Sequence, residues 1–174
     1  METAKMAMAI RISEELVGEA KKYSKIDHRS LTGQIEHWAR IGKCSEENSD
    51  LTYSLIKEIL VGIEELNQNE KTEYQFGWKS MKIYQSRSFE KKVKKFNEKE
   101  KYELDNEIKQ IIQDPSIGTE KKGDLRGILV HKFNLQNQMY LLAYRVIQEE
   151  SLELVMLGPH ENYYRDLKTF LKNK

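Results

Sequence analysis

The sequence predicts an α+β protein built from two modules. Residues 1–66 contain one short stretch with the two-residue periodicity of a strand, followed by apolar residues at helical spacing. Residues 81–174 are predicted to form a strand, two helices, three strands and a helix, in that order. Charge divides the chain in the same way, with net charges of +2 over 1–44, −6 over 45–76 and +4 over 81–174. The acidic stretch either covers a basic surface or forms a solvated helix and tail, and charge alone leaves both interpretations open.

Composition limits the class of protein further. The 174 residues suit one domain or two small ones, and the single cysteine, Cys44, excludes a disulfide framework and favours a reducing cytoplasm. The longest apolar runs are too short to cross a bilayer, so we expect a cytoplasmic protein without a membrane partner. His28 and His37 lack further ligands at metal-binding spacing, and we expect neither a metal nor a cofactor.

The N-terminal residues 5–12 alternate as a strand does, with Met8, Ile10 and Ile12 on one face. A helix is predicted from a cap at Ser13 to about Ser24, and a second from about Ser30 to a stop at Gly42. So small a unit cannot bury a core alone, and its strand has open edges. We therefore expect a homodimer in which two strands pair as a ribbon that fits the DNA major groove.

The candidate DNA contacts lie on the outward ribbon face and at the start of the second helix. They are Lys5, Ala7, Ala9, Arg11, Ser30 and Thr32. Arg11 suits a guanine edge, Lys5 a phosphate, and the helix start binds a phosphate through free amides and hydroxyls. With two alanines among the three groove-facing positions, base readout is thin, and a dimerisation unit without DNA affinity is the alternative.

The string from His28 to Gly42, HRSLTGQIEHWARIG, and the preceding IRISEEL resemble the ParD-like antitoxins. The resemblance covers residues 5–66 and continues into the tail. It implies a ribbon-helix-helix dimer that binds operator DNA.

A third helix, opened by Ser49 and Asp50, has helically spaced apolar residues, and the polar stretch 67–73 after it is predicted to be flexible. Three alternating aromatics follow and suggest an extended strip lying in a groove. Because the tail of ParD-like antitoxins wraps the toxin, the resemblance implies an intramolecular inhibitor; the alternative is a plain linker. Its candidate contacts are Leu55, Ile59, Ile63, Tyr74, Phe76 and Trp78.

The second half is predicted to contain a four-stranded antiparallel sheet with helices. The predicted strands are 81–85, 128–134, 139–148 and 152–157, and the predicted helices are 89–96 (capped by Ser88), 98–113 and 163–171. Gly158-Pro159 is expected to end the last strand. The element order and the strings KKGDLRG, HKF, LLAYRV and GPHENYYRDLK resemble the RelE toxin superfamily over nearly all of 81–174. The implied organisation is a DNA-binding domain at 1–44, a toxin-wrapping segment at 45–80 and a toxin at 81–174.

RelE-like toxins cleave mRNA, typically on the ribosome, without a metal. A base takes the proton of a ribose 2′-OH, whose oxygen attacks the adjacent phosphorus, and an acid protonates the departing 5′-oxygen, which leaves a 2′,3′-cyclic phosphate and a 5′-hydroxyl. The resemblance makes His160 the general acid or base, since an ordinary histidine pKa near 6.5 suits this role, and Tyr164 the residue that stacks on a base. His131 and Lys132 are adjacent on a strand, so one of them is expected to line the site. Lys122 and Arg145 are phosphate-binding candidates, although Arg145 has a possible partner in Glu153.

Three functions compete at this point. The first is a ribonuclease toxin held inactive in cis by an antitoxin that also represses its operon, with release by proteolysis of 67–79. The second is a non-enzymatic autorepressor with a decayed toxin domain. The third is a ParE-like poison of DNA gyrase, against which His160, Tyr164 and His131 argue because that branch lacks the catalytic set.

Overall fold

The computed structural model describes residues 9–74, 82–147 and 151–160. The chain divides into two compact units, Met1–Lys43 and Cys44–Lys174. The predicted α+β class is confirmed. Among the described residues, no helix has both the length and the apolar character that a membrane span requires.

The first unit consists of α1 (Glu14–Ile26) and most of α2 (Leu31–Glu47). The Ser13 hydroxyl caps α1 by accepting a hydrogen bond from the Leu16 amide at 3.3 Å. The predicted helix stop at Gly42 is wrong, because α2 continues through it. A single glycine inside a helix costs only about 1 kcal/mol, which the flanking helical residues outweigh.

The predicted ribbon strand falls largely outside the described residues, which begin at Ala9. Residues 9–13 belong to no strand, since no described segment pairs with their backbone. The apolar side chains of this stretch and of the first turn of α1 are exposed, with Ile10 75% exposed, Ile12 37% and Leu16 42%.

The second unit is a mixed sheet with three further helices. The helices are α3 (Tyr53–Asn67), α4 (Arg87–Val93) and α5 (Glu98–Gln113). The strands are β1 (Lys71–Glu73), β2 (Lys82–Ser86), β3 (Thr119–Glu120), β4 (Leu129–Leu135), β5 (Gln138–Ile147) and β6 (Ser151–Pro159). Their order in the sheet is β1-β2-β6-β5-β4-β3.

This sheet differs from the predicted four antiparallel strands. Strand β2 runs parallel to β6, since α4, α5 and three strands intervene before the chain returns to its side. The stretch predicted to be a flexible linker contributes β1, which pairs antiparallel with β2 from Lys71 opposite Ser86 to Glu73 opposite Tyr84. Strand β6 also continues through Gly158 to Pro159. Its pairing with β2 ends at Leu154, so the missing proline N–H lies on the open side of the strand.

Helix starts are set by caps that the sequence offers. Thr52, rather than Ser49 or Asp50, caps α3, and Ser86, rather than Ser88, caps α4. Asn97 and Glu100 form a capping box at the start of α5, whose bounds agree with the predicted 98–113. The predicted terminal helix 163–171 lies outside the described residues.

The core divides between the two faces of the sheet. Leu104, Ile108 and Ile111 of α5 pack on one face, in a cluster that includes Leu154 of β6. The next residue, Val155, points to the opposite face by strand alternation. There α3 crosses β6, with Gly62 directly against Val155.

Candidate functional site

The acidic segment, residues 45–74, forms an extensive contact with the sheet that follows it. Four aliphatic side chains of this segment are at most 4% exposed; they are Leu55, Ile56, Ile59 and Leu66. Removing each from water contributes about 1.5–3 kcal/mol. Of the predicted contacts, Leu55 and Ile59 are buried and Ile63 is half-buried. The close approach at Gly62, which leaves no room for a side chain, was not foreseen.

Tyr74 ends the described part of the acidic segment and is buried. Its ring meets Phe89 of α4 edge-on at 6.1 Å between centroids, and its hydroxyl donates to the Asp105 carboxylate at 2.8 Å. Burial raises the pKa of the Tyr74 hydroxyl, and Asp105 raises it further; burial also raises the pKa of Asp105. The two other predicted aromatics, Phe76 and Trp78, lie outside the described residues.

Polar pairs surround the apolar contact of α3. The Glu65 carboxylate accepts from the Ser88 amide at 2.7 Å and from its hydroxyl at 2.8 Å, at the start of α4. Lys92 of the same helix donates to Glu58 at 2.5 Å. The acidic residues of α3 therefore face a complementary helix start and an ammonium group.

Asp50 binds two lysines of the sheet domain through one oxygen. Its Oδ2 lies 2.7 Å from Lys121 Nζ and 3.3 Å from Lys132 Nζ. Burial alone would raise the pKa of Asp50, but the two ammonium groups outweigh it and leave the pKa below its ordinary value. The Lys121 side chain is only 3% exposed. Lys121 was not among the candidate site residues, since no local pattern in the sequence marks a buried loop ammonium.

The loop after Lys121 is held by the acidic segment as well. Asn48 accepts from the Lys122 amide at 2.9 Å and donates to the Lys122 carbonyl at 3.2 Å, which fixes the backbone of that residue. Gly123 has a φ of +58°, and a Cβ at this position would overlap the Glu47 carboxylate. Glu47, Asn48 and Asp50 thus all contact residues 121–123, which include the phosphate-binding candidate Lys122.

The Arg145 side chain is hydrogen-bonded to Glu153 and Asn67. Its Nε donates to Glu153 at 2.7 Å and its guanidinium to Asn67 of α3 at 2.9 Å. Glu153 also accepts from Lys71 of β1 at 2.8 Å. Although burial acts to raise the pKa of Glu153, these two cations hold it below the ordinary value. The pairing of Arg145 with Glu153 therefore belongs to the link between the acidic segment and the sheet.

His131 and Lys132 face opposite sides of β4. His131 lies 2.8 Å from Glu107 of α5 and stacks on Phe133, whereas Lys132 faces Asp50. Lys132 is opposite Leu141 in β5, and Arg145 lies four residues further along, about 13 Å at the usual rise of a strand. These three candidates are therefore not gathered at one point.

His160 follows the last residue of β6. Its amide donates to the Met139 carbonyl at 2.7 Å, and the residue is half-buried. It comes two residues after Gly158, which pairs with Leu141, the neighbour of Lys132. Strand alternation thus directs His160 toward the face that carries Lys132. Tyr164, its predicted companion, lies outside the described residues.

In the first unit, the DNA-binding candidates Ala9, Arg11, Ser30 and Thr32 are exposed. The Ser30 hydroxyl accepts from the Gly33 amide at 3.0 Å and so caps α2. Lys5 and Ala7 precede the described residues. Within the described ranges no cluster of three or more histidine, cysteine or acidic side chains is placed to hold a metal ion.

The chain thus combines a small helical unit with a sheet domain whose lysines are paired with the acidic segment that precedes it. Residues 7–77 match the family model of the ParD-like antitoxins of type II bacterial toxin-antitoxin systems, and residues 83–168 match that of the ParE-like toxins of the same systems. The chain belongs to these families as a ParD-like antitoxin fused to a ParE-like toxin. No curated protein was found to match it.

The matched ranges assign each side of the contact. Helix α3 and strand β1 lie in the antitoxin match, whereas β2 and the following elements lie in the toxin match. The contacts of Asp50, Glu65 and Tyr74 with the sheet domain are therefore contacts between antitoxin and toxin within one chain.

Proposed function

We propose that this protein is a self-inhibited toxin–antitoxin fusion whose residues 45–74 hold the toxin inactive in cis. The observation that carries the proposal is the binding of Lys121 and Lys132 by Asp50, beside the buried face of α3. Covalent connection supports it, because a short tether gives the two partners an effective concentration in the millimolar range.

Release of the toxin must remove more than the linker. Asn67 bonds to Arg145 and β1 is part of the sheet, so residues 67–74 are folded onto the toxin. A single cut after Tyr74 would leave the inhibitor docked without its covalent link. We therefore propose that activation requires degradation of the antitoxin part rather than one cleavage within 67–79.

For the released toxin, we propose metal-independent cleavage of mRNA on the ribosome. Lys122 and Lys132 would stabilise the charge on the phosphate in the transition state, and His160 would transfer a proton. The location of Lys132 and His160 toward one face of the sheet supports these roles. Tyr164 keeps its proposed stacking role.

Poisoning of DNA gyrase is the second candidate, and two observations favour it. The toxin half matches the ParE-like family, and His131 and Arg145 are engaged by Glu107 and Glu153 instead of joining Lys132. A non-enzymatic autorepressor with a decayed toxin is the third candidate. All three act on targets in the cytoplasm, where we propose that the protein works.

We further propose that the antitoxin part binds operator DNA as a homodimer. The exposure of Ile10, Ile12 and Leu16 supports pairing with a second copy, because this apolar surface has no cover within the described chain. Arg11 is exposed and available to a groove. Since the Ser30 hydroxyl caps α2, its role toward a phosphate would fall to the backbone amides around it.

The inhibitory contact is tested in the full chain with Ile59→Asp. Ile59 is fully buried, so a carboxylate there should detach α3, whereas the matched Val61→Asp lies at a position that is 44% exposed. On expression in bacterial cells, Ile59→Asp should arrest growth and Val61→Asp should not. Equal growth with both variants would refute inhibition in cis, provided that Ile59→Asp accumulates as soluble protein.

The mode of action is tested with residues 81–174 expressed alone and together with 1–80. Translation arrest with cleaved mRNA identifies a ribonuclease. An induced DNA-damage response with gyrase-linked DNA breaks identifies a gyrase poison. The absence of both effects identifies a decayed toxin.

A further inference from the structure

We propose that Lys121 and Lys132 form a phosphate-binding site of the toxin and that Asp50 occupies this site as a built-in competitor. The inference rests on the proposed inhibition in cis and adds the chemistry of the blocked ligand. That ligand is the phosphodiester group of a nucleic acid.

Asp50 joins a buried lysine to an exposed one, since the Lys121 side chain is 3% exposed, whereas those of Asp50 and Lys132 are 41% and 40% exposed. Two ammonium groups, at 2.7 and 3.3 Å, converge on a single carboxylate oxygen, Oδ2. Two cations and one anion leave an excess positive charge at this point. A phosphodiester has two free oxygens, so each lysine would gain its own acceptor.

Lys121 is held in place before any ligand arrives. Its amide donates to the Ile128 carbonyl at 2.8 Å, and its backbone forms an isolated β-bridge with Arg126. Its side chain is 3% exposed. A buried ammonium that loses its counter-charge is strongly unfavourable. Departure of the antitoxin removes both this counter-charge and part of the cover of Lys121, while the backbone bonds of Lys121 remain; a cation preorganised in this way binds a new anion at little entropic cost.

A shallow cavity of about 340 Å³ adjoins Lys121. Its lining is mostly cationic or backbone and consists of Glu120, Lys121, Lys122, Gly123 and Arg126. The one acid, Glu120, accepts a hydrogen bond from the Gly127 amide at 3.2 Å. The cavity extends the site beyond one phosphate, as the backbone of a polyanion requires.

The test uses the full chain with Asp50→Asn, which removes the competing charge with little change in volume and leaves a neutral side chain that an anion can displace from the lysines. Inorganic phosphate is the first probe, measured by titration calorimetry. We expect Asp50→Asn to bind phosphate about tenfold or more tightly than the unchanged protein, a difference of about 1.4 kcal/mol. The double variant Asp50→Asn/Lys132→Met should lose this gain, and it should fold because the Lys132 side chain is 40% exposed.

Glu98→Gln is the matched control. It makes the same charge change in an exposed ion pair with Lys101, away from the two lysines in sequence, and should bind phosphate as the unchanged protein does. Single-stranded RNA and duplex DNA of equal length then distinguish the source of the phosphodiester. Each is measured as the difference between Asp50→Asn and the double variant, which cancels any DNA binding by residues 1–44.

The proposed site is refuted if Asp50→Asn binds phosphate no more tightly than the unchanged protein. It is also refuted if the double variant keeps the gain in phosphate affinity. Phosphate binding without a gain for either nucleic acid overturns the phosphodiester assignment. The proposed function fails separately: tight phosphate binding by Asp50→Asn, with Ile59→Asp harmless to cells, leaves the site standing and removes inhibition in cis. If Asp50→Asn gains no phosphate affinity while Ile59→Asp arrests growth, inhibition in cis is supported and the phosphate site is refuted.

Discussion

Gly62 lies directly against Val155 of the toxin sheet, and Gly62→Ala tests how much the stability of the chain depends on this close approach. A Cβ at this position would lie 2.2 Å from the Val155 carbonyl oxygen and 3.0 Å from its carbonyl carbon. Because these are backbone atoms of a central strand, they cannot turn aside as a flexible side chain would. Overpacking of this kind costs about 1–3 kcal/mol, and the severity of the overlap places Gly62→Ala at the upper end.

The sign of the effect is opposite to that expected for the helix alone. Alanine stabilises a helix interior by about 1 kcal/mol relative to glycine, so the net loss is about 2 kcal/mol. Gly42→Ala is the matched control, since Gly42 lies in α2, is exposed and has no atom within 4 Å of its Cβ position among the described residues. It should gain up to about 1 kcal/mol.

The measurement is urea unfolding of the full chain, followed by circular dichroism, with amide hydrogen exchange of α3 as a local probe. Gly62→Ala should lower the unfolding midpoint and increase exchange in α3, while Gly42→Ala should do neither. If Gly62→Ala unfolds at the same or a higher urea concentration, with α3 equally protected, the close approach of α3 to β6 is wrong.

Two further predictions concern single polar contacts of the antitoxin segment. Tyr74→Phe removes the donor to Asp105 while keeping the ring against Phe89, so urea unfolding should show a free energy of unfolding lower by about 1–3 kcal/mol. Tyr102→Phe, at a position 65% exposed, should leave this free energy unchanged. Equal stability of the two variants would contradict the hydrogen bond between Tyr74 and Asp105. Glu153→Gln tests linkage to pH: the pKa of Glu153 is lowered from 4.5, so its stabilisation is present above about pH 4.5 and is lost as the pH falls through the lower, folded pKa. Glu153→Gln should be less stable at pH 7 and should lose less stability on acidification below pH 4.5, and a profile parallel to that of the unchanged protein would exclude this linkage.

Local sequence signals predicted several elements well because those elements depend on local chemistry. The capping box of Asn97 and Glu100 sets the start of α5 within the chain itself. The helical spacing of Leu55 and Ile59 predicted a buried face on α3, which the structure contains. Short polar connections likewise predicted that β4, β5 and β6 pair in succession.

Other features escaped prediction because distant residues create them. The Lys71-Thr72-Glu73 stretch is polar and has no apolar alternation, yet it forms a strand because β2 offers an open edge. Alternation required His131 and Lys132 to face opposite sides, but only the packed helices decide which side each faces. The burial of Lys121 follows from the fold of its loop and from Asp50, 71 residues away in the chain.

The sequence by itself determined that this chain joins a ParD-like antitoxin to a toxin of the RelE/ParE superfamily, because motifs, charge segregation and helical periodicity are properties of neighbouring residues. Within that superfamily the motifs favoured the RelE-like branch, whereas the matching family model is that of the ParE-like toxins. The tertiary structure alone decided that antitoxin and toxin share one sheet and that Asp50 meets Lys121 and Lys132. Such contacts depend on the register of strands and on the approach of α3 to β6 at Gly62. Both are fixed by packing between segments that are far apart in the chain.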